Sequence, residues 1–341
     1  MSDLESRYRS VLRLLPLSYR EKWADDMVTT FLDSTLPEEL EEAEYVAEFG
    51  RPGRAEVASV VALAVRLRFA GSAGPARYSA WGGAVRLAAL AGLLVNAVSG
   101  VIGVELLYWA DGRVPWLGTP PVRQLGGPAQ ATWALSGLLW TFAFLLLLNG
   151  HRRAARIAAG LGLVRGLYAA VAAMIDSVST GAPLFFFSHW LELAVSALVV
   201  LLLSAFHSDA EPVRPRWWLV ALAAAVVLNP MPPLMAFARP DFTVPLDWTG
   251  LCCLALAAGG VAYLAMPSWR TPSRTLALAL LSAGALVLRL ALLLDFATFS
   301  GRMDLGGATL PVFGIEAVLV LAVGVTAGML ASRAVRPLGV R

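Results

Sequence analysis

Charged residues are scarce in this chain of 341 residues. Asp, Glu, Lys and Arg together make up 15% of it, and the mean hydropathy is +0.67. Because soluble domains carry about 25% charged residues, this composition excludes an ordinary soluble protein. Apolar runs of roughly 18 or more residues recur instead, and each can cross a hydrocarbon core about 30 Å thick. We therefore expect an all-α, polytopic membrane protein surrounded by membrane lipid.

Cysteine and histidine are almost absent. Cys252 and Cys253 are adjacent, and neighbouring side chains on a helix point about 100° apart, so neither a disulfide nor a shared metal is expected. The three histidines are too widely spaced for a helical metal-binding pair: His151, His189 and His207. The sequence also lacks the motifs of serine hydrolases, phosphate-binding loops, zinc proteases and dinucleotide-binding folds. We therefore expect no metal, no cofactor and no enzymatic activity.

Lysine occurs once, at Lys22, against 26 arginines. The charges are also unevenly distributed. Residues 1–78 hold ten Lys and Arg against 13 Asp and Glu, a net charge of −3, whereas the remainder holds 17 against 11, a net charge of +6. Because the excess arginines lie in loops between apolar segments, they indicate membrane orientation, and no direct binding to nucleic acid is expected.

Eight apolar segments are predicted to be transmembrane helices. They cover residues 85–109, 130–149, 157–177, 190–206, 217–237, 248–266, 275–295 and 312–332. The loops on one side, with the C-terminal tail, hold ten arginines and the loops on the other side hold four. The positive-inside rule then places both termini in the cytoplasm of a cell-membrane protein, with four in–out–in hairpins. The predicted parts are a head (1–70), a linker (71–80), the eight-span domain (81–334) and a cytoplasmic tail (335–341).

The head is charged and amphipathic, and three or four short helices are expected in it. In the stretch "SYREKWADDMVTTFLDS", Ser18 and Glu21 have the spacing of a capping box at a helix start. Large apolar residues recur there at every fourth position: Tyr19, Trp23, Met27 and Phe31. This stripe either packs inside the head or leaves one face for a partner.

Ionisable residues inside the predicted spans form the candidate intramembrane site. A charge near the bilayer centre costs about 2.5–3.5 kcal/mol and needs a partner or a water-filled cavity. Arg289 lies deep in the seventh span, and Glu316 is its favoured partner because a short loop joins the two spans. Other acids lie near the outer ends of spans: Glu105, Asp176, Glu192 and Asp295. The group either forms a pocket for a cation or peptide, or the acids reach interfacial water while Arg289 is paired.

A proline-rich stretch, "LNPMPPLM", interrupts the fifth predicted span. Its three prolines remove backbone donors and exclude a regular helix, and Asn229 lies beside them at membrane depth. Irregular backbone at that depth must be buried in protein or line a cavity. The stretch therefore either marks a transport site or is a structural kink.

Two stretches of the head carry a resemblance to a known family. They are "LESRYRSVLRLLPLSYREKWADDMVTTFLDS" and "EFGRPGRAEVASVVALAVRLRFAG". They resemble the HAAS-like, or permease-prefix, helical domains that precede multi-span regions in many actinobacterial membrane proteins, and the resemblance covers about residues 4–70. It implies a non-enzymatic, membrane-anchored regulatory protein whose head binds a transcription regulator (PadR-like) or a sigma factor. The alternative is a small-solute permease that uses the broken fifth span.

Overall fold

The computed structural model describes residues 2–37, 39–68, 76–110, 128–180, 186–203, 214–228, 248–299 and 309–335. These residues are almost entirely helical, and no strand occurs among them. The chain divides into two compact units, Met1–Gly82 and Gly83–Arg341. We call the first the head and the second the membrane unit.

Four helices form the head: α1 (Asp3–Leu12), α2 (Leu17–Thr35), α3 (Leu40–Phe49) and α4 (Arg54–Arg68). The central helix is α1, which packs against the other three. Its side chains at intervals of four residues, Leu4, Tyr8 and Leu12, lie on one face and are buried. Phe31 of α2 stacks on Tyr8 with 4.0 Å between the ring centroids. The head thus has a hydrophobic core of its own.

The start of α2 differs from the prediction. The helix begins at Leu17 with Pro16 in the N-cap position, so the predicted capping box at Ser18 and Glu21 is wrong. Pro16 has a fixed φ of −56°, and its carbonyl accepts hydrogen bonds from the N–H groups of Tyr19 and Arg20, both at 3.0 Å. Ser18 therefore lies inside the first turn of α2 and is not the N-cap residue.

Eight further helices follow from residue 76 onwards in the described ranges. They are α5 (Ala76–Ala110), α6 (Pro128–Leu148), α7 (Arg152–Thr180), α8 (Phe186–Leu202), α9 (Pro215–Leu228), α10 (Trp248–Ala265), α11 (Pro272–Phe299) and α12 (Thr309–Val335). Five of them, α5, α7, α10, α11 and α12, are long and apolar enough to cross a membrane. The other three contain shorter apolar stretches. The chain is therefore a helical protein suited to repeated membrane crossing, as the composition predicts.

Small residues set the distance between helices in the membrane unit. Gly100 of α5 lies against Gly137 of α6, and a Cβ atom at Gly100 would collide with the Gly137 carbonyl group. One turn away, the Thr141 hydroxyl donates a 2.8 Å hydrogen bond to the Ala97 carbonyl. Without a hydrophobic driving force between helices in lipid, such close backbone contacts and interhelical hydrogen bonds hold the bundle together.

Candidate functional site

The deepest charge predicted from the sequence is enclosed by protein. Arg289 of α11 is fully buried, and its guanidinium forms a salt bridge with the carboxylate of Glu316 on α12, which is also buried. The ion pair that the sequence favoured is therefore present. The ring of Phe313 lies against the same guanidinium, with 3.7 Å from Cζ to the ring centroid. The attraction between a cation and an aromatic face adds to the pairing in such a desolvated place.

Phe313 was missed by sequence reasoning, although a signal was available. It lies three residues before Glu316, so both side chains project from the same face of α12. Its ring also meets Phe296 of α11 edge to face, with centroids 5.2 Å apart. The pair of charges and the pair of rings together fix α11 against α12 in one register. That arrangement is well suited to structural locking, since each charge is matched inside the protein.

Asp295, six residues after Arg289 on α11, contacts a different helix. Its carboxylate is 1% exposed and accepts hydrogen bonds from the backbone N–H groups of Phe187 (3.0 Å) and Ser188 (2.8 Å). Both amides belong to the first turn of α8, where a helix leaves its N–H groups without intrahelical partners and carries a partial positive charge. Asp295 therefore caps α8 from a neighbouring helix.

The other end of α8 meets the opposite charge. Arg156, near the start of α7, donates two hydrogen bonds to the carbonyl of Leu203, directly after α8, from Nε at 3.3 Å and from Nη2 at 3.2 Å. A cation at the C-terminal end complements the negative end of the helix dipole. Between the two ends, Ser196 donates to Asn96 Oδ1 of α5 at 3.2 Å. Polar contacts with three neighbouring helices thus fix α8.

Replacing Asp295 with asparagine is expected to destabilise the membrane unit by about 1.5–3 kcal/mol, since the bonds lost are hydrogen bonds to a charged group. The amide would also turn a donor toward the buried N–H groups of α8. Denaturation in mixed micelles measures the change in the free energy of unfolding. The matched control is Arg153→Gln on α7, which also removes one charge, from an exposed side chain, and should change the free energy of unfolding by less than about 0.5 kcal/mol. Equal stability of the two variants would contradict the capping role.

The remaining predicted intramembrane residues have other environments. Glu105 lies on α5 with a partly buried side chain, and Glu192 lies on α8 with an exposed one. Asp176 belongs to α7, but its side chain lies outside the described residues, as does all of Asn229. The structure thus unites Arg289 with Glu316, while the proposed role of the broken fifth span concerns residues outside the described ranges.

A second arginine lies inside the membrane unit. The guanidinium of Arg165 on α7 lies directly against Gly137 of α6, in the space that a Cβ atom there would fill, and close to Gly103 of α5. The absence of a side chain at Gly137 leaves room for this charge beside α6. Gly137 therefore accommodates a charged side chain as well as a close contact between helices.

In the head, the aromatic stripe of α2 is divided between core and surface. Phe31 is 7% exposed and stacks on Tyr8, while Tyr19 and Met27 pack at the edge of the head core. Trp23 is 42% exposed, and the Lys22 ammonium lies 5.1 Å from its ring centroid. Most of the stripe therefore packs internally, and only Trp23 is available at the surface.

Polar contacts tie α1 to its neighbours. The Tyr8 hydroxyl donates a 3.0 Å hydrogen bond to Glu56 Oε1 of α4, and burial together with this carboxylate raises the pKa of Tyr8 to about 12. Arg9 forms ion pairs at 2.9 Å with Glu5 and with Asp25 of α2. These contacts give α1 fixed positions against α2 and α4.

One face of α3 carries an exposed pair of aromatic rings. Tyr45 is 67% exposed and Phe49 is 59% exposed, although their rings touch, with centroids 5.1 Å apart. The glutamates of this helix are exposed around the rings: Glu41, Glu42, Glu44 and Glu48. A shallow depression is lined by Glu41, Glu42, Tyr45 and Val46. Sequence reasoning missed the ring pair, for which the spacing of four residues was the available signal.

Comparison of the chain with models of known families, with curated proteins and with solved structures finds no match. Within the described ranges, no three His, Cys, Asp or Glu side chains are grouped so as to hold a metal ion.

Proposed function

We propose that this protein is a membrane-anchored regulatory protein. Its helical head binds a soluble protein in the cytoplasm, and the apolar helices hold that complex at the cell membrane. The observation that carries the proposal is the exposed ring pair Tyr45–Phe49. Burying one large apolar side chain stabilises a protein by about 1.5–3 kcal/mol, yet the head leaves both rings in water while its core is filled. Aromatic surface inside a polar rim is typical of a protein-binding site.

The class of partner follows from the resemblance of residues 4–70 to HAAS-like domains. It favours a transcription regulator, PadR-like, or a sigma factor. The head core around Tyr8 and the hydrogen bond from Tyr8 to Glu56 hold the head together. Because α3 packs against this core through Val46, its rings are presented on a rigid surface. No catalytic step is assigned to the chain.

We further infer that α6, α8 and α9 also cross the membrane, which gives eight spans and two cytoplasmic termini. The support comes from α8, which has only 17 residues and is about 25 Å long. Its start meets Asp295 near the end of α11, and its end meets Arg156 near the start of α7. A helix that reaches between these two levels runs along more than half the length of α7 and α11, which supports a membrane crossing by α8.

The arginines support the orientation. Three of them, Arg152, Arg153 and Arg156, lie at the start of α7, and Arg270 and Arg274 flank the start of α11. These ends are expected in the cytoplasm by the positive-inside rule. Cysteines introduced at positions 118 and 208 test the eight-span arrangement with a membrane-impermeant reagent. Position 118 should be labelled from outside and position 208 should not, and outside labelling at 208 would overturn this topology.

Photo-crosslinking in living cells tests the proposed function. A benzoyl-phenylalanine replaces Tyr45 in the full-length protein, and the same residue replaces exposed Thr30 of α2 as the control. The substitution at position 45 is expected to capture a soluble DNA-binding regulator from the cytoplasm. In cells whose protein lacks residues 1–70, the same regulator is expected in the soluble fraction and no longer at the membrane. Equal capture from both positions, or an unchanged location of the captured protein after the deletion, would contradict the proposal.

A further inference from the structure

We propose that the α3 face of the head binds a basic amphipathic helix of a soluble partner protein. The face is defined by Tyr45 and Phe49 together with Glu42, Glu44 and Glu48. This inference rests on the proposed function and names the chemistry of the surface that the partner must present.

The geometry of α3 sets the pattern of the partner. Successive residues on a helix are rotated by about 100°, so Tyr45 and Phe49 lie about 40° apart and form one stripe. Glu42 borders the stripe on one side, and Glu44 and Glu48 border it on the other. The stripe is therefore an apolar centre between two acidic rims. Val46, which lies about 80° from the centre of the stripe, packs toward the head core, so the core side of α3 begins beyond Glu42.

Such a face is complementary to a helix that carries two apolar residues one turn apart, with Lys or Arg on both sides. Amphipathic helices bind by laying their apolar face on an apolar surface, with anchor residues at intervals of three or four. The aromatic rings supply the apolar contact. The carboxylates select basic flanks and repel acidic ones, which gives the specificity.

The same charges argue against other occupants. Nucleic acid presents phosphates, and the cytoplasmic leaflet presents anionic lipids, so both would be repelled by the glutamates around the rings. A second copy of the head is itself acidic, with a net charge of −3 over residues 1–78, so two heads repel each other overall. A separate basic protein segment fits the face best.

The test uses the full-length protein in nanodiscs of phosphatidylcholine. The probe is a fluorescent 20-residue helical peptide with leucines on one face and lysines on the other, and its counterpart carries glutamate in place of lysine. Fluorescence anisotropy gives the affinity after subtraction of binding to empty nanodiscs. Three variants are compared with wild type: Y45A/F49A, E44K/E48K and the control E21K/D26K. The control changes the charge by the same amount at exposed acids of α2.

The lysine peptide is expected to bind wild type and the control within a factor of two of each other. Its affinity for Y45A/F49A and for E44K/E48K should fall at least tenfold, and E44K/E48K should gain affinity for the glutamate peptide. An equal loss of affinity for the lysine peptide in all three variants would show that binding depends only on the overall charge of the head, and would overturn the proposal. Unchanged affinity in both α3 variants, or self-association of the wild type that Y45A/F49A abolishes, would overturn it as well.

The crosslinking test and the peptide-binding test can fail independently of each other. If crosslinking at position 45 captures a soluble regulator but the lysine peptide does not distinguish the variants, the proposed function stands and the basic-helix chemistry is wrong. If the peptide distinguishes the variants but crosslinking captures nothing from the cytoplasm, the surface chemistry stands and the regulatory function is wrong.

Discussion

Replacing Arg289 with leucine is expected to destabilise the membrane unit by about 3–5 kcal/mol, because the buried carboxylate of Glu316 loses its partner. Glu316→Leu should cost about as much, since it leaves the guanidinium buried beside the Phe313 ring without its counter-charge. The double variant R289L/E316L should be far milder, as leucine pairs pack without any charge to compensate. Denaturation in mixed micelles and the amount of protein in the membrane measure these differences.

Arg274→Leu is the matched control for this series, because Arg274 lies on the same helix with an exposed side chain. It should change the free energy of unfolding by less than about 0.5 kcal/mol. If the double variant regains both abundance and partner binding, the ion pair is a structural lock. Regained abundance without partner binding would show that the charges also carry a ligand or a signal. Wild-type stability of R289L would contradict the pairing argument itself.

Phe31→Ala is expected to destabilise the head by about 3–5 kcal/mol, through loss of buried aromatic area and the cavity that remains. A domain of this size has a total stability of roughly 4–10 kcal/mol, so the variant should be largely unfolded at 37 °C. Trp23→Ala removes a larger side chain but should cost less than about 1 kcal/mol, because Trp23 is exposed. Circular dichroism of a fragment covering residues 1–70 measures both effects.

The contrast between these two aromatic residues also tests the head assignment. Similar losses for Trp23→Ala and Phe31→Ala would show that the stripe is one continuous core. A wild-type fragment without helical signal would show that residues 1–70 do not fold as a unit. Loss of a captured partner from a fully folded Trp23→Ala protein would extend the binding surface from α3 to α2.

The aromatic stripe of α2 shows how much of the structure the spacing of apolar residues can predict. A spacing of four residues correctly indicates a helix, but each step advances about 40° beyond a full turn. Trp23 therefore lies about 80° from Phe31 around the helix, and the two cannot face the same core equally. The sequence predicts which residues share a side, whereas the position of the neighbouring α1 decides which of them is buried.

The intramembrane charges show the same limit of prediction from sequence. The pairing of Arg289 with Glu316 was predictable because a buried charge requires a counter-charge and a short loop limits the candidates. The contact of Asp295 with α8 was not, because its partners are backbone amides, which every helix start provides and no sequence motif distinguishes. The exposed pair on α3 was missed for a related reason: spacing reveals that two rings adjoin, and only packing reveals that nothing in the described head covers them.

The capping of α8 has a consequence for biosynthesis. Asp295 is 107 residues further along the chain than Ser188. At translation rates of about 5–20 residues per second, α8 leaves the ribosome about 5–20 s before its cap is made. During that interval its first amides must be satisfied by water and lipid headgroups at the membrane surface. A chain interrupted before α11 would hold α8 with one end secured by Arg156 and the other end without its cap.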